Sequence, residues 1–192
     1  MTKILIIIGH PDPAPERLCR ALANAYAESA RRAGHDVRLI DIALLNLPLL
    51  RTKEDFETNQ PPQSIVRCQE AIRWAEHIVF VYPLWLGTLP ALLKGFLEQT
   101  FRPAFAFSGN TATGRWKKLL AGRSARIVVT MGMPALIYRF YYAAHGLRSF
   151  ERNILNFVGI GPIRETLIGM VDSPEKARAG LERLEKLGAD GA

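Results

Sequence analysis

Tyr138 and His145 are the side chains of this chain best placed to steady a charge that forms during a reaction. They follow the run Thr130-Met131-Gly132-Met133-Pro134, at a spacing compatible with one shared pocket. A phenol and an imidazole can donate hydrogen bonds to a developing anion or exchange a proton with it. A lone histidine is otherwise most often structural, and Tyr141 and Tyr142 read as packing residues. A second stretch, Gly9 to Arg17, holds Pro11, Pro13 and Pro15 and leads into a helix. The free N–H groups and dipole of a helix start attract phosphate. His10 and Arg17 can add charge-assisted contacts; the plain alternative is that the prolines only shape a turn and Arg17 is solvated. The glycine fingerprint of dinucleotide folds is missing beside this stretch. A third stretch, Tyr82 to Leu89, offers Pro83, Leu84, Trp85 and Leu86, flat and apolar, suited to a flat aromatic ligand or to plain packing.

Strands must hold these stretches in place. Lys3–Ile8 is a run of β-branched residues and leucine, as in a strand buried on both faces. A helix is expected over Arg17–Ala33, with Leu18, Leu22 and Tyr26 on one face and Gly34 as its stop. Val37–Ile42 is the second strand. Ala43–Pro62 is irregular and long enough to be a covering or functional loop. Ser64–Ala75 is helical and Ile78–Val81 is the third strand. Pro90 opens a helix carrying Leu92, Leu93, Phe96 and Leu97 at helical spacing. Arg102–Trp116 shows no period. Arg126–Val129 is the fourth strand, a helix lies near Leu147–Phe157, and Ile163–Ile168 is the fifth strand. Pro174–Leu187 is the last helix, and Gly188–Ala192 are expected to fray. Alternating strands and helices predict an α/β fold, a parallel five-stranded sheet of flavodoxin-like order 2-1-3-4-5 covered on both faces, as one domain over 1–192. In such a sheet the three stretches meet at the carboxyl edge, where the strand order reverses.

Composition narrows the class. The chain has 192 residues, enough for one sizeable core, and its net charge of +7 favours anionic ligands. The basic residues form no block or stripe, which argues against nucleic acid. Cys19 and Cys68 are far apart and fit neither a metal motif nor a disulfide framework, so no metal and a reducing, cytoplasmic setting are expected. The apolar run after Met1 is too short for a signal peptide. The longest uncharged run, Ile78–Leu93, holds two prolines and falls short of the roughly 20 residues of a membrane span.

Particular segments then carry a family likeness. They are GHPDP (Gly9–Pro13), YPLWLGTLPALLKGFLEQTFRPAFAF (Tyr82–Phe107), GRWKKLLAGRSARIVVTMGMP (Gly114–Pro134) and AHG (Ala144–Gly146). NFVGI (Asn156–Ile160) and ETLIG (Glu165–Gly169) add to them. Together they resemble the flavodoxin-like NAD(P)H:quinone oxidoreductases, the group that holds DT-diaphorase, modulator-of-drug-activity proteins and ancillary subunits of potassium-efflux systems. The arrangement Pro-x-Trp followed by Pro-Ala-x-Leu-Lys-Gly-Phe is the most specific part.

The resemblance implies a homodimeric flavoenzyme holding FMN, with FAD as the alternative. It gives His10, Arg17, Leu18 and Cys19 to the flavin phosphate, although the usual Ser-Phe-Asn here reads Arg-Leu-Cys. It gives Pro83, Leu84, Trp85 and Leu86 to the ring, and Thr130, Met131, Gly132 and Met133 to its pyrimidine side. It makes Tyr138 and His145 the pair that stabilises charge during hydride transfer, with His145 one residue further along than the pattern. A tyrosine of the pattern is Phe107 here. Two-electron, ping-pong transfer from NAD(P)H through the flavin to a quinone-like acceptor is the implied reaction. The net positive charge mildly favours NADPH. Other readings are a flavodoxin-type electron carrier, a peripheral regulatory subunit of a membrane transporter, and a flavin-free domain of the same fold.

Overall fold

The computed structural model describes residues 1–110 and 115–192. Five strands form one parallel sheet: β1 (Lys3–Ile8), β2 (Asp36–Asp41), β3 (His77–Pro83), β6 (Ser124–Thr130) and β7 (Ile163–Ile168). Their order across the sheet is β2-β1-β3-β6-β7. The numbering passes over β4 (Phe107–Asn110) and β5 (Arg115–Lys118), a separate antiparallel pair. That pair corrects the reading of Arg102–Trp116 as aperiodic. Its strands are short, and part of the stretch, 111–114, lies outside the described residues, as does Gly114 of the family likeness.

Alternation along β1 decides which face each side chain serves. Ile4, Ile6 and Ile8 pack under α1 (Leu18–Arg32) and α7 (Pro174–Asp190), with Leu22, Tyr26 and Leu184. Leu5 and Ile7 point the other way, into a larger core with Phe80, Leu93, Phe96 and Phe150. That side is covered by α3 (Gln63–Trp74), α4 (Ala91–Thr100) and the helical stretch 137–158. Two buried faces explain why the strands read as continuous apolar runs.

Three expectations change. The loop Ala43–Pro62 contains a 3-10 turn, Ile42–Leu44, and a short helix, α2 (Lys53–Glu57). Thr52 caps α2 through the Asp55 N–H while the Asp55 carboxylate accepts from the Thr52 N–H. The tail does not fray, because α7 runs on to Asp190 and Gly188 lies against the Tyr26 backbone. The helix expected near Leu147–Phe157 starts earlier, as α5 (His145–Ser149). It widens into π-helical turns over Phe150–Leu155 and ends as α6 (Asn156–Val158).

Candidate active site

Strand register brings three loops to one rim. Ile8 lies beside Val81, Pro83 beside Thr130, and Thr130 beside Ile168. β3, β6 and β7 therefore end level while β1 stops about two residues earlier, and the chain leaves each of them at the same edge. Contacts then tie the loops together. The Leu84 N–H donates to the Thr130 carbonyl at 2.8 Å. The His10 ring meets Trp85 edge-on at 6.0 Å between centroids. The Cys19 thiol, buried on α1, sits 3.3 Å from the Thr130 hydroxyl. Burial pushes that thiol up to about 11, so it stays protonated.

The first loop is closed on itself. His10 Nδ1 accepts from the Asp12 N–H at 3.0 Å, and the Asp12 carboxylate accepts from Ala14 N–H at 2.9 Å. Arg17 donates through Nε to Asp12 at 2.7 Å. Desolvation lowers the His10 pKa and outweighs the opposite pull of Asp12. Arg17 is thus half-exposed and already paired, a competition the sequence alone does not show. Past it, the N–H groups of Leu18 and Cys19 have no acceptor among the described residues, as at any uncapped helix start.

The second loop is a tight turn. Trp85 and Thr88 exchange backbone hydrogen bonds at 2.9 and 3.0 Å, with Leu86 at φ 48° and Gly87 at φ 80°. Two left-handed residues in succession make a type I′ turn. It thrusts Leu86 fully into solvent and leaves Trp85 half-exposed, while Pro83 and Leu84 are partly covered. The Leu86 and Gly87 N–H groups find no acceptor among the described residues.

The third loop is pinned from below. Met131 N–H donates to Ile168 O at 2.9 Å, and Met170 N–H to Met133 O at 3.2 Å. Gly169 allows this approach, since a Cβ there would lie 2.7 Å from Met133 O. Gly132 is exposed, and the Gly132 and Met133 N–H groups have no acceptor among the described residues.

Tyr138 and His145 are placed differently from each other. Tyr138 is 1% exposed, in the π-helical turn Ile137–Tyr141. Its hydroxyl donates to the Gly87 carbonyl at 3.3 Å and accepts from the Leu147 N–H at 3.1 Å. Burial raises its pKa. It therefore sits behind the second loop and holds the turn. His145 is exposed at the start of α5. Its neighbour Gly146 abuts the turn, where a Cβ would collide with Gly87 O and lie 2.8 Å from Thr88 Cα. The sequence reading missed this buttress, although the Gly146 that follows His145 was the available sign. Tyr141 and Tyr142, read as packing residues, are 80% and 50% exposed. With Leu136, Ile137 and Phe140 of the same segment they make an exposed apolar ridge.

The residues that meet at this rim suit a flat, phosphorylated ligand. Unpaired amides stand on three sides: Leu18 and Cys19, Leu86 and Gly87, and Gly132 and Met133. A planar heterocycle with several acceptors could take up those donors against the Trp85 wall. Among the described residues no group of three or more His, Cys, Asp or Glu is arranged to hold a metal ion, and no helix is long and apolar enough to cross a membrane. A large aromatic cavity, with Phe56, Phe107, Trp116 and Phe157, runs along α4 beside Lys94, Leu97 and Glu98 and takes no lining residue from the three loops.

Known proteins resemble the chain over nearly its whole length. It is 29% identical over 187 residues to an uncharacterized NAD(P)H oxidoreductase of Haemophilus influenzae, covering 94% of this chain and 90% of that protein. It is 26% identical to an FMN-dependent NADH:quinone oxidoreductase of Macrococcus caseolyticus, covering 98% and 99%. A ribosyldihydronicotinamide dehydrogenase-like protein of Penicillium crustosum is 28% identical over 80% of this chain, which spans only 64% of that protein's length. In three dimensions the NAD(P)H:quinone oxidoreductase of Methanothermobacter marburgensis superposes with a TM-score of 0.83 at 20% identity, covering 100% of this chain and 99% of the other. The sequence profile of the flavodoxin-like fold matches residues 2–189, and with the parallel sheet and the three-loop rim already described, the chain belongs to that family.

Proposed function

We propose that this protein is a flavin-dependent NAD(P)H oxidoreductase of the quinone-reducing type, with FMN bound at the three-loop rim. The row of unpaired amides around the half-exposed Trp85 carries the reading. Names of relatives add support, one of them an FMN-dependent NADH:quinone oxidoreductase. When bound, the flavin supplies two-electron hydride chemistry, accepting from NAD(P)H and delivering to a quinone-like acceptor at one shared site.

The chain's own residues then have distinct tasks. Leu18 and Cys19 N–H groups face the phosphate at the start of α1, and His10 and Arg17 border it. Arg17 must share its charge between Asp12 and the phosphate. Pro83, Leu84, Trp85 and Leu86 form the ring wall. The N–H groups of Gly132 and Met133 serve the pyrimidine side, with Thr130 and Met131 setting their height. Tyr138 acts through the Gly87 turn that it holds, and is a positioning residue. His145, exposed beside that turn, donates a hydrogen bond to the negative charge that develops during hydride transfer. The apolar ridge around Phe140 and Tyr141 is assigned to a second copy of the chain, which makes a homodimer.

The test is direct. Purified protein should be yellow, absorb near roughly 450 nm, and oxidise NAD(P)H when a quinone is added. Mass spectrometry of the released cofactor should give FMN. Protein that stays colourless after incubation with FMN and FAD would refute the reading. Sedimentation at micromolar concentration should give twice the chain mass; a monomer rejects the dimer alone.

A further inference from the structure

The segment that carries Tyr138 and His145 folds over a strained corner. Ala143 and Ala144 are both left-handed, at φ 50° and 47°. π-helical turns stand on either side, Ile137–Tyr141 before the corner and Phe150–Leu155 after α5. Left-handed alanines are unfavourable by themselves and π-helical turns are rare, so contacts elsewhere must hold this shape.

Those contacts converge on one carboxylate. Arg139, from the turn before the corner, pairs with Glu165 of the edge strand β7. Glu151, from the turn after it, has its carboxyl within hydrogen-bonding reach of the same Glu165. Glu165 therefore ties both arms of the segment to the sheet. Two carboxylates this close repel each other unless they share a proton. Arg139 sits on Glu165, so the proton belongs to Glu151, which donates it to Glu165. Burial and the charge of Glu165 raise the Glu151 pKa from 4.5 to about 7, against the pull of Arg139 and Arg148. The other groups facing the pair are Tyr82 from β3 and Tyr138, both buried and held neutral.

We propose that Glu151 and Glu165 form a proton-sharing clasp that positions Tyr138 and His145, closing their segment on β7 when the proton is present and loosening it when the proton leaves. On release Glu151 turns toward Arg148, and only Arg139 still holds Glu165. The effect on ligand rests on the flavin reading, because the Tyr138 hydroxyl supports the Gly87 carbonyl of the turn assigned to the flavin ring. The sign follows from the raised pKa. Stability from the clasp is complete below pH 4.5 and is lost as pH rises through about 7. Flavin should therefore be held more tightly on the acid side of neutrality than on the alkaline side.

Fluorescence titration of the full-length protein with FMN, from about pH 5.5 to about pH 8.5, tests the clasp, with thermal midpoints read on the same samples. Wild type should lose affinity about fivefold across neutrality relative to Glu151→Gln, whose amide donates to Glu165 and does not titrate. The FMN phosphate, His10 and His145 titrate alike in both proteins and cancel in the comparison. Glu165→Gln removes the shared anchor and should bind FMN weakly at every pH. One FMN profile shared by wild type and Glu151→Gln overturns the proposal whatever the midpoints do, and so does wild-type affinity in Glu165→Gln. A protein that takes up no flavin refutes the flavin reading, and the midpoints then decide the clasp. Wild type falling below Glu151→Gln as pH rises through neutrality keeps it; parallel curves overturn it.

Discussion

The two edges of the sheet treat their polar groups in opposite ways. At the amino edge many of them are spent on the fold, although His77 Nε2 is buried with no partner among the described residues. Arg123 donates to the carbonyls of Ile72, Arg73 and Ala121, His77 is buried against the Ser124 hydroxyl at 2.8 Å, and the Glu76 N–H bonds to Lys3 O. At the carboxyl edge, amides of all three loops have no acceptor among the described residues, while side chains such as Tyr138 support the loops from behind. One edge gains stability from its hydrogen bonds; the other keeps donors ready and relies on packing for its shape. Changes at the amino edge should therefore alter stability alone, and changes at the carboxyl edge should alter ligand affinity as well.

The largest expected effect tests the packing of the binding edge. Gly146→Val puts side chain into the Gly87–Thr88 backbone and should cost about 3 kcal/mol, as overpacking does. A fall in chemical-denaturation midpoint with release of flavin is expected; unchanged flavin affinity would separate the buttress from the site. A similar magnitude belongs to the other edge. Burial, with help from Arg126, depresses the His77 pKa from 6.5 to about 4. The neutral ring is favoured in the fold, so this stability is complete above pH 6.5 and is lost as pH falls toward 4. The loss amounts to about 3 kcal/mol by linkage. Thermal midpoints should drop across that window, less steeply in His77→Asn, with flavin affinity at pH 7.5 unchanged. Tyr138→Phe removes a hydroxyl that serves Gly87 O and Leu147 N, and should cost about 1–2 kcal/mol. If it acts only by position, the loss of flavin affinity should track the loss of stability, whereas His145→Gln should slow the reductive half-reaction in an otherwise stable protein. The smallest change is Arg17→Ala, expected to weaken FMN about tenfold and riboflavin hardly at all. Equal weakening of both would remove Arg17 from the phosphate.

Much of this was legible in the chain itself. Runs such as Lys3–Ile8 announce strands buried on two faces, and Pro90 marks the start of α4. Residues at strand ends could be grouped at one rim because parallel topology leaves few choices. What stayed hidden depends on contacts between distant parts. Nothing in the first loop's composition says that Arg17 is taken by Asp12 rather than left for a ligand. Nor does a tyrosine near a histidine reveal that its hydroxyl is turned onto Gly87 and Leu147. The antiparallel pair β4-β5 escaped because strands of four residues give too little alternation to read. For α2 the sign was present, in Thr52 followed by Asp55, but the surrounding leucines and prolines masked it.

Leu86 has a consequence of another kind. It is an aliphatic residue in a left-handed backbone state, with its whole side chain in water. Neither property favours the isolated fold, and glycine would be cheaper at that position by about 1 kcal/mol. The residue is therefore a place where stability and activity should pull against each other. Selection for heat resistance alone should replace Leu86 with Gly or Asn, and selection for turnover should restore it.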